Sequence, residues 1–417
     1  MLKTFQIDVG IIGSGPAGLA TAVEAKRRGI KDLVVFERDE RPGGILPQCI
    51  HNGFGLEKFK EELTGPEYAN RYIKMAEAFH ADTELNTMVL EIKKNKTLTA
   101  VSEKKGLRQY QCKSIILSMG CRERPRGAIG IPGTRPAGIF TAGQAQRFIN
   151  IEGYMPGRKV VILGSGDIGL IMARRLRLEG ARVKAVAEIL PYASGLIRNV
   201  VQCLHDFEIP LLLSHTVAEI HGDKRVEGVT LVAVDSDQNP LRGTERFIEC
   251  DTLLLSVGLI PENELSKTAG VSIDPRTGGP FVNDFLETNV EGIFSCGNVL
   301  HVNDVVDNVS SEGETAALGA HAHLNGKRLR RKKLILLNGD ISIGQCVPQA
   351  VSGNQDTTLY IRVKKPMKKM VLRIGDIYEK KFPYARPGEM IHLKIPKKSF
   401  NGIRPGRKSL KILCEEQ

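Results

Sequence analysis

Residues 8–19 read DVGIIGSGPAGL, and residues 159–170 read KVVILGSGDIGL. Each stretch is an apolar, strand-like run that ends in a Gly-x-Gly-x-x-Gly turn (Gly13, Gly15, Gly18; Gly164, Gly166, Gly169). Each turn opens a helical pattern, LATAVEAKRRG (19–29) and LIMARRLRLEG (170–180). A second strand follows in each case, LVVFE ending in Glu37 and RVKAVAE ending in Glu188, and both acids stand 24 residues after the first glycine of their turn. Strand, glycine turn, helix and strand-terminal acid make up the dinucleotide-binding βαβ unit. The first glycine permits the tight turn, the second lets backbone approach a pyrophosphate, and the third lets helix and strand pack closely. The pyrophosphate then rests on the helix N-terminus, where free N–H groups and the helix dipole favour anions, and the acid accepts hydrogen bonds from ribose hydroxyls. A lone glycine motif is weak, but here the whole unit occurs twice, 151 residues apart.

At 417 residues the chain exceeds one hydrophobic core. Strand-like runs follow the first unit (TMVLEIKKN, LTAVSEK, RQYQCKSIILSMG), and further runs occur at 252–258 (TLLLSVG) and 292–298 (GIFSCGN), with a long helical run from about Ser310. This order predicts an α/β fold with two Rossmann-like dinucleotide-binding domains, the second inserted into a split first domain. The expected boundaries are 1–126 and 258–330 for the split domain and 127–257 for the inserted one. From 334 to 417, alternating runs broken by Pro and Gly (TTLYIRVKK, KMVLRIGDIY, MIHLKIP) predict an appended β-rich domain.

The composition, 41% hydrophobic and 25% charged, is that of a soluble globular protein. No run approaches the roughly 20 apolar residues of a membrane span, and the N-terminus runs straight into a strand, so a cytoplasmic protein is expected. The net charge of +12 is concentrated in 327–333 (KRLRRKK) and in the tail after Lys364. No nucleic-acid recognition motif accompanies it; the economical account is attraction of anionic dinucleotides or of an acidic partner subunit. The eight cysteines are scattered singly without a C-x-x-C, which supports neither a redox dithiol nor a self-contained iron–sulfur or zinc site. His301, Asp304 and Asp307 match no standard metal-ligand spacing, and no metal is expected.

These motifs resemble the two-dinucleotide-binding flavoproteins of the glutathione reductase and thioredoxin reductase superfamily. The resemblance runs from residue 5 to about 325: GSGPAG with Glu37, Gly43-Gly44, Ser118-Met119-Gly120 where Ala-Thr-Gly is usual, GSGDIG with Glu188, Ser256-Val257-Gly258, and Gly297-Asn298 where Gly-Asp is usual. It implies FAD on the first unit, held at Gly13, Ser14, Gly15, Pro16, Ala17, Gly18, Glu37, Arg38, Gly43, Gly44, Val89, Gly120, Gly297 and Asn298. It implies NAD(P) on the second, at Gly164, Ser165, Gly166, Asp167, Ile168, Gly169, Glu188 and Gly258. Within the superfamily, the runs 43–55 (GGILPQCIHNGFG), 62–73, 131–150 and 296–313 resemble the FAD/NAD subunits of heteromeric dehydrogenases. That group takes in the corresponding subunits of opine oxidase, dye-linked proline dehydrogenase, hydrogen cyanide synthase and the glycerol-3-phosphate dehydrogenase complex. The likeness implies an oligomeric electron-transfer subunit with a flavin-dependent dehydrogenase as partner, and a small iron–sulfur protein as a further one.

Flavin and nicotinamide carry hydride chemistry themselves, so few catalytic side chains are needed. Cys49, in the region where disulfide reductases place their redox pair, and His51 are the candidates. Glu188 favours NAD over NADP, because a carboxylate repels the 2′-phosphate, although Arg174, Arg175, Arg177 and Arg182 are near in sequence. Two other functions fit the motifs: a stand-alone NAD(P)H oxidase or quinone/dye reductase, and a non-enzymatic redox sensor or scaffold.

Overall fold

The computed structural model describes residues 3–326, 334–403 and 406–416; the basic run 327–333 lies outside them. By its internal contacts the chain divides into two compact units, one formed by 1–121 with 261–417 and the other by 122–260.

The first unit is built on a seven-stranded sheet. Its centre is Thr4–Ile12, which pairs in parallel with Leu33–Phe36 on one side and Gly106–Leu117 on the other. All four residues of Leu33–Phe36 are buried, as an apolar run covered on both faces requires. Thr97–Ser102 and Thr87–Ile92 extend the sheet as an antiparallel meander. Ile293–Ser295 returns after the second unit to pair in parallel with Gly106–Leu117, so the first unit is completed by chain on both sides of the insertion. Two helices lie together on this sheet, Pro16–Arg27 and Val306–Leu324. They approach so closely that a Cβ on Gly313 would stand 2.4 Å from the Ala17 carbonyl oxygen, and the Thr21 hydroxyl donates to the Gly313 carbonyl at 3.0 Å. The second helix starts at Val306, four residues before the expected Ser310; Asp307 in its first turn complements the helix dipole.

The second unit repeats the architecture. Lys159–Leu163 is flanked in parallel by Arg182–Glu188 and Thr252–Leu255, with Leu211–Leu213 and Ile139–Thr141 at the edges and Asp167–Leu178 as the crossover helix. A three-stranded antiparallel sheet, His215–His221, Gly228–Ala233 and Arg246–Glu249, packs its apolar face into the same unit.

The β-rich tail forms a five-stranded and a three-stranded sheet around its own core, which includes Ile343, Ile361, Met370, Leu372, Ile395 and Ile412. It is nevertheless part of the first unit. Val347 and Tyr360 enter the core that contains Val282, Phe294 and Leu300. Arg362 is ion-paired with Asp304, whose other oxygen accepts the Met390 N–H at 2.6 Å. Asp284 accepts the Ser352 hydroxyl at 2.7 Å, and Gln349 bridges Val282 N–H and Asp274. Truncation before residue 334 therefore strips cover from Phe294 and Leu300 and leaves buried carboxylates unpaired. The expected outcome is loss of soluble, cooperatively unfolding protein, checked by solubility and thermal denaturation; a well-folded 1–326 fragment would contradict this.

Candidate functional site

In the first unit the glycine turn and the strand-end acid are bound directly to each other. Glu37 is 5% exposed. One of its oxygens accepts both the Ser14 N–H at 2.8 Å and the Ser14 hydroxyl at 2.7 Å, and the other accepts the Asp39 N–H at 2.9 Å. The third glycine has no latitude, since a Cβ on Gly18 would lie 1.9 Å from the Gly13 carbonyl oxygen. Gly15 differs: its Cβ direction meets only the Cα of Gly44, at 3.9 Å, so the protein leaves that side open. Gly43 donates its N–H to the Ser14 carbonyl at 2.9 Å and brings Gly44 over the turn.

The second unit has the same bonding. Glu188, 4% exposed, accepts the Ser165 N–H at 2.9 Å and the Ser165 hydroxyl at 2.5 Å on one oxygen, and the Leu190 N–H at 3.0 Å on the other. Here a loop closes on the turn as well. Asp167 Oδ1 accepts the Leu196 N–H at 2.8 Å and the Asn199 amide at 2.6 Å, and Ser194 donates its N–H to the Ser165 hydroxyl. Gly169 donates its N–H to the Ser256 hydroxyl at 3.1 Å.

These turns fit dinucleotides. Gly15 and Gly166, which precede the two helices, supply no side-chain cap; the N–H groups of Ala17 and Gly18 in the first helix and of Asp167 and Ile168 in the second can meet phosphate oxygens, while Gly169 N–H is taken by Ser256. Oε1 of each acid, which accepts a single N–H, keeps acceptor capacity for a ribose hydroxyl, whereas Oε2 is filled by the turn serine and, at Glu188, by the Ser194 hydroxyl as well. Gly120 and Gly258 follow the strands Gly106–Leu117 and Thr252–Leu255, both at positive φ (75° and 101°), with nothing within 4 Å of where a Cβ would be. Arg38 is exposed beside Glu37, whereas the Val89 side chain is buried in the core with Phe36 and Ile92, leaving only its main chain to meet a ligand. Pro16, Ala17 and Ile168 lie in the first helical turns. Sequence reading places Ser14 and Ser165 among the cofactor contacts; the structure gives their hydroxyls to the acids.

Around Gly297 the polar groups are bonded to one another. Asn298 Oδ1 accepts the Asn303 N–H at 3.0 Å, and its amide nitrogen lies 3.6 Å from Cys121 Sγ. Gly297 donates its N–H to Glu312 at 2.6 Å, and Glu312 also binds His301 Nε2 at 2.6 Å. Neither role of Glu312 is visible in the motif pattern. His301, Asp304 and Asp307 turn to three separate partners, Glu312, Arg362 and the Glu57 N–H. Among the described residues no cluster of His, Cys, Asp and Glu could hold a metal ion.

Cys49 donates its thiol to the Ile45 carbonyl at 3.4 Å, and burial pushes its pKa up to about 12. No disulfide joins any of the eight cysteines, all of them among the described residues. His51 is half-buried, its Nδ1 3.0 Å from the Asn52 carbonyl and its ring 5.0 Å from Phe54.

Residues 7–323 match the family described as pyridine nucleotide-disulphide oxidoreductase. The chain belongs to this family. The family binds FAD together with a pyridine nucleotide. It is 27% identical over 281 residues to the HcnB subunit of hydrogen cyanide synthase from Pseudomonas aeruginosa, covering 63% of this chain and 59% of that protein. It is 26% identical over 340 residues to an opine oxidase subunit of Agrobacterium tumefaciens, covering 76% and 66%. The chain thus spans about three-fifths to two-thirds of these relatives' length. The crystal structure of T. acidophilum thioredoxin reductase superposes with a TM-score of 0.63 at 25% identity, covering 77% of this chain and 99% of that one. Among the described residues no helix is long and apolar enough to cross a membrane.

Two outcomes follow from this geometry. Glu37→Ala or Glu188→Ala leaves a serine N–H and hydroxyl without their acceptor, and each should lower unfolding stability by about 1–3 kcal/mol, measured by urea denaturation. A thiol whose pKa is raised stays protonated below it, so at pH 8 only about one Cys49 in ten thousand is thiolate. Native-state alkylation followed by mass spectrometry should leave Cys49 unmodified at that pH.

Proposed function

We propose that this oxidoreductase passes hydride between FAD on the first glycine turn and NAD(H) on the second, and that it serves as the electron-transfer subunit of a heteromeric dehydrogenase. The single observation that carries this reading is the duplicated cradle: two helix N-termini preceded by glycine, each beside a buried strand-end carboxylate held by its own turn. FAD would be held by Gly13, Ser14, Gly15, Pro16, Ala17, Gly18, Glu37, Arg38, Gly43, Gly44, the main chain at Val89, Gly120, Gly297 and Asn298. NAD would be held by Gly164, Ser165, Gly166, Asp167, Ile168, Gly169, Glu188 and Gly258. Bound there, the two cofactors supply the hydride chemistry; the chain binds, orients and excludes water.

Disulfide reduction is disfavoured, because the residues around Cys49 supply one thiol, held protonated by burial, where that chemistry needs a reactive pair. Cys49 and His51 are then residues of the flavin-side loop rather than a nucleophile and its base. Membership of a larger complex is supported by the names of the two relatives, which are subunits of hydrogen cyanide synthase and of opine oxidase. The partner would be a flavin-dependent dehydrogenase, with a small iron–sulfur protein as a further component, and glycerol 3-phosphate is the first donor to test. NAD is preferred to NADP because the Glu188 carboxylate at the strand end would repel a 2′-phosphate, and Arg175 is engaged by Glu179 at 2.7 Å.

The test is anaerobic mixing of the FAD-loaded chain with NADH. The flavin should bleach, and NADPH should act about tenfold less effectively, as a charge repulsion of about 1.4 kcal/mol dictates. No bleaching would defeat the hydride reading. Rapid NADH turnover with oxygen or a quinone would point instead to a stand-alone oxidase or reductase.

A further inference from the structure

Glu312 projects from the helix Val306–Leu324 into the interior, where it and His301 are 1% and 0% exposed. Its Oε2 accepts the Gly297 N–H, while its Oε1 meets His301 Nε2 at 2.6 Å and the Asn303 amide at 3.3 Å. The other side of the imidazole is covered by the tail. The Tyr360 ring lies 5.3 Å from His301 and 4.6 Å from His392. Three polar atoms in this group, His301 Nδ1, Asn303 Oδ1 and His392 Nε2, are buried without a hydrogen-bond partner. Unpaired polar atoms in an interior are costly and rare, and where they gather they mark a place that water or a proton visits.

The charges around the group are few. Glu57, exposed on the loop after Phe54, acts on both Tyr360 and His392, and Lys394 opposes it at His392. Asp304 is taken up by Arg362 and the Met390 N–H; Asp307 accepts the Glu57 N–H on one oxygen, while its other oxygen is buried without a partner and burial raises its pKa. Burial lowers the pKa of His392 below its ordinary value, which keeps that ring neutral and able to pass a proton on without storing it.

We propose that His301 and Glu312 form a proton-accepting pair coupled to flavin reduction, with His392 and Glu57 marking the way in from solvent. The proposal rests on FAD occupying the turn at Gly297 and Asn298. A hydride brings two electrons and one proton as a unit, so it leaves one uncompensated negative charge on the flavin. One proton from water then binds His301 Nδ1, and the resulting imidazolium, held by Glu312, offsets that charge across the Gly297 peptide. The proton returns to water when the electron pair departs. In an interior of low dielectric such compensation is strongly favoured, and linkage requires it to appear as a pH-dependent potential. Both are positioning residues, acting on the flavin through the Gly297 peptide.

The test is the midpoint potential of the FAD-loaded full chain, measured by spectroelectrochemistry between about pH 7 and about pH 8.5, above the ordinary range of free histidine. The wild type should take up two protons per electron pair, and His301→Gln one, with a correspondingly shallower slope. Glu312→Gln retains an acceptor for the Gly297 N–H but removes the charge, and it should also give the shallower slope. His392→Gln should leave the equilibrium slope intact and slow proton uptake at least severalfold, as followed with an indicator dye in stopped flow. A wild-type slope of one proton per electron pair overturns the proposal without recourse to any variant, as do equal slopes in the wild type and His301→Gln. A chain that retains no flavin defeats the FAD reading itself, an outcome distinct from either.

Discussion

A carboxylate buried at the tip of a parallel strand must be hydrogen-bonded, and in this protein the groups that satisfy it belong to the glycine turn of the neighbouring strand. Ser14 serves Glu37 with both its N–H and its hydroxyl, and Ser165 serves Glu188 in the same way. The bond fixes the turn against the strand end. Turn, helix N-terminus and acid then present themselves to a ligand as one rigid piece. The residue two beyond each acid, Asp39 or Leu190, closes the arrangement with its own N–H. The rest of each unit follows from keeping this piece in place: the crossover helix can sit close only because Gly18 and Gly169 lack side chains, and the core beneath is made of the buried apolar residues of the central strands.

The two units use the piece differently. In the first, Gly43 and Gly44 lie over the turn and the helix Val306–Leu324 packs against Pro16–Arg27, so residues three hundred apart build one site. In the second, the loop 190–197 is tied back by Asp167, Ser165 and Asn199. The second turn is closed by its own local loop, the first by distant chain. The tail contributes to the second kind of closure: Arg362 and Met390 hold Asp304, and thereby the loop that leads into the long helix.

How much of this could be read beforehand depends on the range of the interactions involved. Strands and helices of the two βαβ units are set by local periodicity and by glycines whose backbone demands are met within a few residues, so the duplicated GSG turns, Glu37 and Glu188 stand out in the linear chain. Pairings across long separations leave no such mark. The bond between Gly297 and Glu312 and the ring contact of His301 with Tyr360 depend on where the returning chain and the tail come to rest. The same holds for Asp304, which reads as a spare carboxylate until Arg362, 58 residues on, is brought to it.

The amino-acid sequence by itself determined the α/β class, the repeat of two nucleotide-binding units, the split of the first by the second, and the β-rich character of the tail, because each rests on short-range pattern and backbone geometry. Tertiary structure alone decided that the serine hydroxyls bind the acids, that the tail is built into the first unit, and that Cys49 is a buried, protonated thiol. Burial and pairing are properties of the packed interior, and packing brings together residues whose distance along the chain carries no information about their distance in space.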